Sequence, residues 1–438
     1  MTGWGTATIG RAGFAALIGL TAVGGAAAAM QTPAAMPAAT PTTALAPAEI
    51  TFWTTAEEGY PEWEAAFEAA NPGVVVASQY IGNYDEMAQR VQAAIAGGDV
   101  PNVAQMGQRH GLPQVIDAGA LVPVADYLTE PDVADIRPGL WSRFTYKGEQ
   151  WVVPFASSTP GMWFHADAFR EAGLDPANPP QTWEDVAAAA EALTVDEDGD
   201  GQPERWGFST CGDVPWYVRP MILQAGGQLY DETGAPQVNG EAGVAALSFF
   251  RDIVHERGAA APVGHQTGED DFKAGTVGIL FCSTANRGDF AESIGDRFAY
   301  GLAWLPEREE RAVGLGGAGL VVFQGDPAEQ AAAEAFVRFL TDTRRTAEMG
   351  EQTGYVAIRE SAMSEPEIQA LLAEDAYART IYDQLPFVAD AGINPADAIL
   401  WGGLLNAVET VQTDPEADPQ QLLDDLQREM EDYLATYE

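Results

Sequence analysis

Between residues 49 and 119, short apolar runs of strand length alternate with longer runs of helical period, and this alternation most restricts the fold. Glu49-Ile50-Thr51-Phe52-Trp53-Thr54-Thr55, 74–77 and 102–106 read as strands. A helical stretch carrying Trp63, Phe67 and Ala70 stops at Asn71-Pro72-Gly73. Another covers 84–96, with Met87, Val91, Ala94 and Ile95 on one face, and a third covers 112–118 and ends at Gly119. The order βαβα predicts a mostly parallel sheet with helices on both faces. A ligand in such a fold sits beyond the carboxyl ends of the strands.

The pattern resumes after residue 160. Helices are expected at 166–172, 183–193, 215–226, 240–257, 328–341 and 421–437. Thr182 is a good N-cap, with Asp185 in the favourable first turn. Strands are expected at 206–210, 277–282, 300–304 and 320–323. The run Gly314-Leu315-Gly316-Gly317-Ala318-Gly319 reads as a crossing between lobes, and Thr353-Gly354-Tyr355-Val356-Ala357 as another. A chain of 438 residues, 46% apolar, exceeds one hydrophobic core and predicts two lobes.

Residues 1–29 have the shape of a secretory signal: one charge at Arg11, then an alanine- and glycine-rich apolar stretch. Residues 30–48 are Ala, Pro, Thr and Met, a tether unable to build a core. Net charge is −43, with two lysines, Lys147 and Lys273, against 20 arginines. Such a surface repels nucleic acid and anionic membranes. It suits high ionic strength, where distant carboxylates are screened from one another, and predicts a salt-adapted host. In an exported chain Cys211 and Cys282 are free to pair, for a gain of roughly 4 kcal/mol, or to remain two buried thiols.

Catalytic signatures are absent. No G-x-S-x-G elbow, H-E-x-x-H or Walker A occurs, and the first strand is not followed by G-x-G-x-x-G. Asp196-x-Asp198-x-Asp200-Gly201 matches half a calcium loop, but position 12 is Gly207, so a solvated acidic turn is expected and no metal. Aromatic rings with dense polar partners are the materials of a sugar-type cleft. Trp53, Tyr84, Trp163, Trp216, Tyr217, Tyr355 and Trp401 are the candidates. Trp163 sits in a strand-like run and reads as core. Tyr84 and Tyr355 lie in turns, and Trp216 at a helix start. Gly316, Gly317 and Gly319 let a backbone approach a ligand or serve a hinge.

Several stretches carry a family likeness. They are Ile50-Thr51-Phe52-Trp53, Gly82-Asn83-Tyr84-Asp85-Glu86, Ala118-Gly119-Ala120-Leu121-Val122-Pro123-Val124, Pro154-Phe155-Ala156-Ser157-Ser158-Thr159-Pro160 and Pro179-Pro180-Gln181-Thr182-Trp183. Gly316-Gly317-Ala318 and Gln352-Thr353-Gly354-Tyr355-Val356 follow. In order and spacing the chain resembles the extracellular solute-binding proteins of ABC transporters, in the group that binds maltose and other sugars, and within it the glycerol-phosphate binders. The resemblance implies an α/β, two-lobed periplasmic-binding-protein fold with three interlobe crossings (type II). It implies a first lobe of 49–156 with 300–350, and a second of 157–299 with 351–438.

It implies, further, a non-enzymatic, monomeric periplasmic protein without cofactor. That protein hands glycerol-3-phosphate or a glycerophosphodiester to an inner-membrane permease. A neutral mono- or oligosaccharide is the alternative, and a secreted hydrolase a remote third. The implied ligand set is Tyr84, Gln108, Ser157, Ser158, Trp216, Ser283, Thr284, Gly316, Gly317 and Tyr355. Two departures stand out. Gln108 replaces a glutamate of the relatives, and Asp390-Ala391-Gly392-Ile393-Asn394 lacks their phosphate-binding arginine. Arg109, Arg219 and Arg287 are the cations available to replace it.

Overall fold

The computed structural model describes residues 44–107, 111–389 and 391–437. The expected signal segment, Gln108 and Arg109 lie outside the described residues. Among the described residues no helix is long and apolar enough to cross a membrane.

Two sheets organise the chain. The first has the order β2-β1-β3-β11-β6, built from β1 (Ala48–Thr54), β2 (Val74–Tyr80), β3 (Val103–Gly107), β6 (Val153–Ser158) and β11 (Gly316–Val322). The second has the order β10-β7-β9-β8, built from β7 (Pro160–His165), β8 (Trp206–Thr210), β9 (Val277–Ser283) and β10 (Tyr300–Ala303). A small hairpin joins β4 (Thr145–Tyr146) to β5 (Glu149–Gln150).

Both sheets are mixed, which corrects the expectation of a mostly parallel one. β1 runs parallel to β2 and β3, as the βαβ rhythm requires. β11 runs antiparallel to both β3 and β6. It enters from the second sheet rather than through a βαβ crossover, so the right-handed crossover geometry does not govern it. In the second sheet only β8 and β9 are parallel.

The chain passes from β6 to β7, and so between sheets, through Thr159 alone. That residue is fully buried, and each of its polar groups is paired. Its N–H donates to Thr284 Oγ1 (3.2 Å), its carbonyl accepts from Thr284 N–H (3.0 Å), and its Oγ1 accepts from Gln384 Nε2 (3.0 Å). The return passage lies between β10 and β11. Two boundaries therefore move. Tyr300–Ala303 pairs with β7, so residue 300 belongs with the second sheet. The glycine-rich run is mostly strand, since β11 begins at Gly316. Gly317, at φ +92°, stands where the pairing with β6 shifts register, Phe155 and Ala156 of β6 facing Ala318 alone.

The alanine-rich helix Pro327–Leu340 returns to the first sheet, where Phe336 meets Phe52 edge-on at 5.5 Å. Helices Asp397–Thr413 and Pro419–Leu434 pack on Glu241–His255, on the second-sheet side. Thr182 and Asp185 form a reciprocal capping box at the start of Trp183–Leu193. Cys211 and Cys282 form a disulfide, with S–S 2.05 Å and Cα–Cα 5.2 Å, which settles the open alternative. Asp196, Asp198 and Asp200 are all exposed, and their carboxylates cap the turn's own N–H groups, as for Gly199 N–H to Asp196 Oδ1 at 2.8 Å.

Candidate functional site

The carboxyl ends of β6 and β9, the segment after β8 and the start of β11 meet around a cavity of about 210 Å³. Its first-sheet wall is laid down by β6, β11 and one helix start. Asn83 caps helix Tyr84–Gly97: its Oδ1 accepts from Asp85 and Glu86 N–H, while Glu86 reaches back to Asn83 N–H. That box sets Tyr84 at the first helical position, facing the cavity. Gly107, at the end of β3, lets the Tyr84 side chain lie close, because a Cβ there would stand 2.7 Å from Tyr84 Cγ. Ser158 and Gly316 are register partners at the end of β6 and the start of β11.

The second-sheet wall comes mainly from the segment after β8. Asp213 leads into helix Pro215–Gln224, where Trp216 and Arg219, three residues apart, share the face that lines the cavity. The Trp216 indole N–H donates to the carbonyl of Leu315 (3.2 Å) on the returning segment. Ser283 and Ala285 add the end of β9, and Trp401 adds a further ring. The Arg219 guanidinium lies 6.0 Å over the Trp401 ring and 3.8 Å from Asp397 Oδ1. Asp397 also accepts from Tyr230 Oη (2.9 Å) and Asn394 N–H (2.9 Å).

Tyr84 and Tyr355 form a phenolic pair. Burial holds Tyr84 well above the ordinary tyrosine range, with Tyr355 adding to it, and burial likewise raises Tyr355. Both stay protonated at neutral pH and can donate to a ligand oxygen.

Of the residues implied by the resemblance, the cavity brings together Tyr84, Ser158, Trp216, Ser283, Gly316, Gly317 and Tyr355. Ser157 and Thr284 do not line it. Ser157, within β6, is fully buried, and Thr284 spends its hydroxyl on Thr159 N–H. Trp163 is core, as its strand setting suggested. Tyr217 is fully buried with its Oη at Cys211 O (3.2 Å), and Trp53 packs under the Arg90 guanidinium (4.8 Å). Arg287 is committed elsewhere: it pairs with Asp375 (2.6 Å) and holds the carbonyl of Thr353 (2.6 Å), pinning the loop that carries Tyr355.

Arg219 and Arg143, by contrast, both line the cavity, with only 3% and 1% of their surface exposed. Sequence reasoning missed Arg143. Its one signal was a charge set inside the apolar run Leu140-Trp141-Ser142-Arg143-Phe144.

Two mixed α/β sheets that pass the chain between them and close on a polar, aromatic cavity define a cleft-type solute binder. The chain belongs to the bacterial extracellular solute-binding protein family, whose profile matches residues 62–374. Fold and family match non-catalytic binding proteins. It is 28% identical, over 68% of this chain and 70% of the relative, to the sn-glycerol-3-phosphate-binding periplasmic protein UgpB of Escherichia coli K12. The crystal structure of UgpB from Mycobacterium tuberculosis in complex with glycerophosphocholine matches with a TM-score of 0.76 and 26% identity, over 89% of this chain and 98% of that one. The cyclic alpha-maltosyl-1,6-maltose binding protein of Arthrobacter globiformis shares the fold, with a TM-score of 0.76 and 22% identity over 90% of this chain and 100% of that one.

Proposed function

We propose that this chain captures a compact phosphate ester, glycerol-3-phosphate or a glycerophosphodiester, in the periplasm and delivers it to an inner-membrane ABC permease. The placement of Arg143 and Arg219 in one cavity carries the reading. A guanidinium keeps its positive charge even when buried. Its planar fork matches phosphate oxygens bidentately. These side chains stand in for the arginine missing from 390–394. Tyr84, Tyr355, Ser158 and Ser283 supply donors for ester and hydroxyl oxygens. Asp213 and the faces of Trp216 and Trp401 suit a cationic head group, so a zwitterionic diester uses both charges of the wall. The named ligands of the Escherichia coli and Mycobacterium tuberculosis relatives are of this class.

The two sheets then act as lobes joined by three crossings, the third at Thr353–Tyr355, and ligand shifts an open–closed equilibrium. The closed, monomeric form docks on the permease, whose own subunits hydrolyse ATP. A neutral saccharide is the second reading, favoured by the aromatic faces. The cavity, small beside the roughly 300–1,000 Å³ of drug-sized sites, weighs against an oligosaccharide. Titration calorimetry in about 1 M salt decides. Saturable binding of glycerophosphocholine or glycerol-3-phosphate is expected; binding of maltose-type sugars alone overturns the phosphate reading.

A further inference from the structure

The second-sheet wall of the cavity hangs on two short segments. One supplies Asp213, Trp216 and Arg219, and the other Ser283 and Ala285. They leave the carboxyl ends of β8 and β9, a parallel pair whose register ends at Thr210 opposite Phe281. One more backbone bond follows, from Cys211 N–H to Phe281 O at 2.9 Å. Past it the Cys211–Cys282 disulfide is the covalent tie between the two segments. Cys282 directly precedes Ser283, and Cys211 stands two residues before Asp213. Tyr217, fully buried beside Trp216, brings its Oη to 3.2 Å from both the carbonyl and the Sγ of Cys211. The helix that carries Trp216 and Arg219 is thus locked to the disulfide at its first turn.

We propose that the Cys211–Cys282 disulfide is a positioning element of the ligand site. It sets the spacing between the Trp216–Arg219 wall and the Ser283–Ala285 wall, and full affinity requires it. The inference rests on the reading of this cavity as the ligand site. The cores around it, with Phe208, Phe250, Ile279 and Phe281 all buried, do not depend on the bond for their apolar contacts. Opening it therefore lowers stability without dispersing the fold.

The experiment compares the intact protein with the reduced protein and with the Cys211→Ser/Cys282→Ser double variant. Circular dichroism reads folding, and glycerophosphocholine titration reads affinity. The Trp216 indole N–H resonance, assigned through Trp216→Phe, reads position. The reference is Trp141, whose indole N–H is bound to Val133 O on the first-sheet side. The expected result is a folded protein with at least about tenfold weaker binding, a displaced Trp216 resonance and an unmoved Trp141 resonance. Unchanged affinity with an unmoved Trp216 resonance overturns the proposal. Global unfolding of both opened forms also overturns it, because the bond is then a stability staple. If the intact protein ignores glycerophosphocholine, the phosphate-ester reading falls, and the Trp216 resonance alone decides the positioning role.

Discussion

The indole of Trp216 lies close against the bare backbone of Gly316. A Cβ built there would stand 2.9 Å from both Cε2 and Cη2 of the ring. The same ring donates its N–H to Leu315 O, so a second-sheet aromatic is seated on a first-sheet strand. Gly316→Ala is therefore expected to push the ring off its seat and weaken ligand binding by at least about tenfold without unfolding the chain. Trp216→Ala should do the same by removing the ring. Gly288→Ala, where an added Cβ meets nothing within 4 Å, is the control and should leave affinity unchanged. Wild-type affinity in Gly316→Ala, measured by calorimetry, would remove Trp216 from the ligand's path.

The two arginines separate an anionic ligand from a neutral one. Arg143→Lys and Arg219→Lys keep the charge and lose the planar fork. Each is expected to weaken glycerophosphodiester binding by about tenfold or more, with little effect on any neutral sugar that binds. Lysine is chosen because Arg219→Met would leave Asp397, 4% exposed, without its cation, at a stability cost of roughly 3–5 kcal/mol. Equal losses for charged and neutral ligands would mean that the guanidinium groups only hold the cleft together.

Much of this site was legible in the sequence because local rules govern it. Asn83 followed by Glu86 announces a helix start, which places Tyr84. Pro215 at the head of an apolar run announces another, and helical spacing then aligns Trp216 with Arg219. What local rules do not reach is pairing across long separations. The antiparallel entry of β11 and the transfer of Tyr300–Ala303 to the second sheet both depend on partners more than a hundred residues away. Ser157 and Ser158 show the limit at its finest. In a strand, neighbours face opposite ways, so only one of the two reaches the cavity, and which one is set by the pairing of Ser158 with Gly316.

Acid should destabilise the fold through a few placed carboxylates. Burial pushes Asp117 up, but Lys147 Nζ (2.6 Å), Tyr146 Oη (2.8 Å) and Tyr437 Oη (3.0 Å) outweigh it and hold the carboxyl below 3.8. Burial also pushes Asp135 up, and Ser361 with Arg359 brings it below the same value. Groups depressed in the folded state bind fewer protons there than when unfolded. The stability they contribute is fully present well above 3.8 and is lost as pH falls through their folded values. Urea unfolding in about 1 M salt, where general charge repulsion is screened, should show a flat midpoint near neutrality and a fall below 3.8. Asp135→Asn should blunt that fall. A midpoint that rises toward pH 3 would contradict the assignment.

Salt should act on the fold and on the site in different ways. The chain carries 65 acidic residues against 22 basic ones, and distant like charges repel over a Debye length of about 10 Å at 0.1 M. Raising sodium chloride to about 1 M shortens that length to roughly 3 Å, so the melting temperature is expected to climb. Arg143 and Arg219 are nearly inaccessible to solvent, and buried charges are screened far less. Affinity for a phosphate ester should therefore change much less than stability does over the same range. A thermal scan and a calorimetric titration at both salt levels check the pair of expectations. An equal melting temperature at both would remove the salt-adapted reading of the charge. A steep loss of affinity with salt would place the ligand's phosphate out on the acidic, solvated rim rather than against the two guanidinium groups.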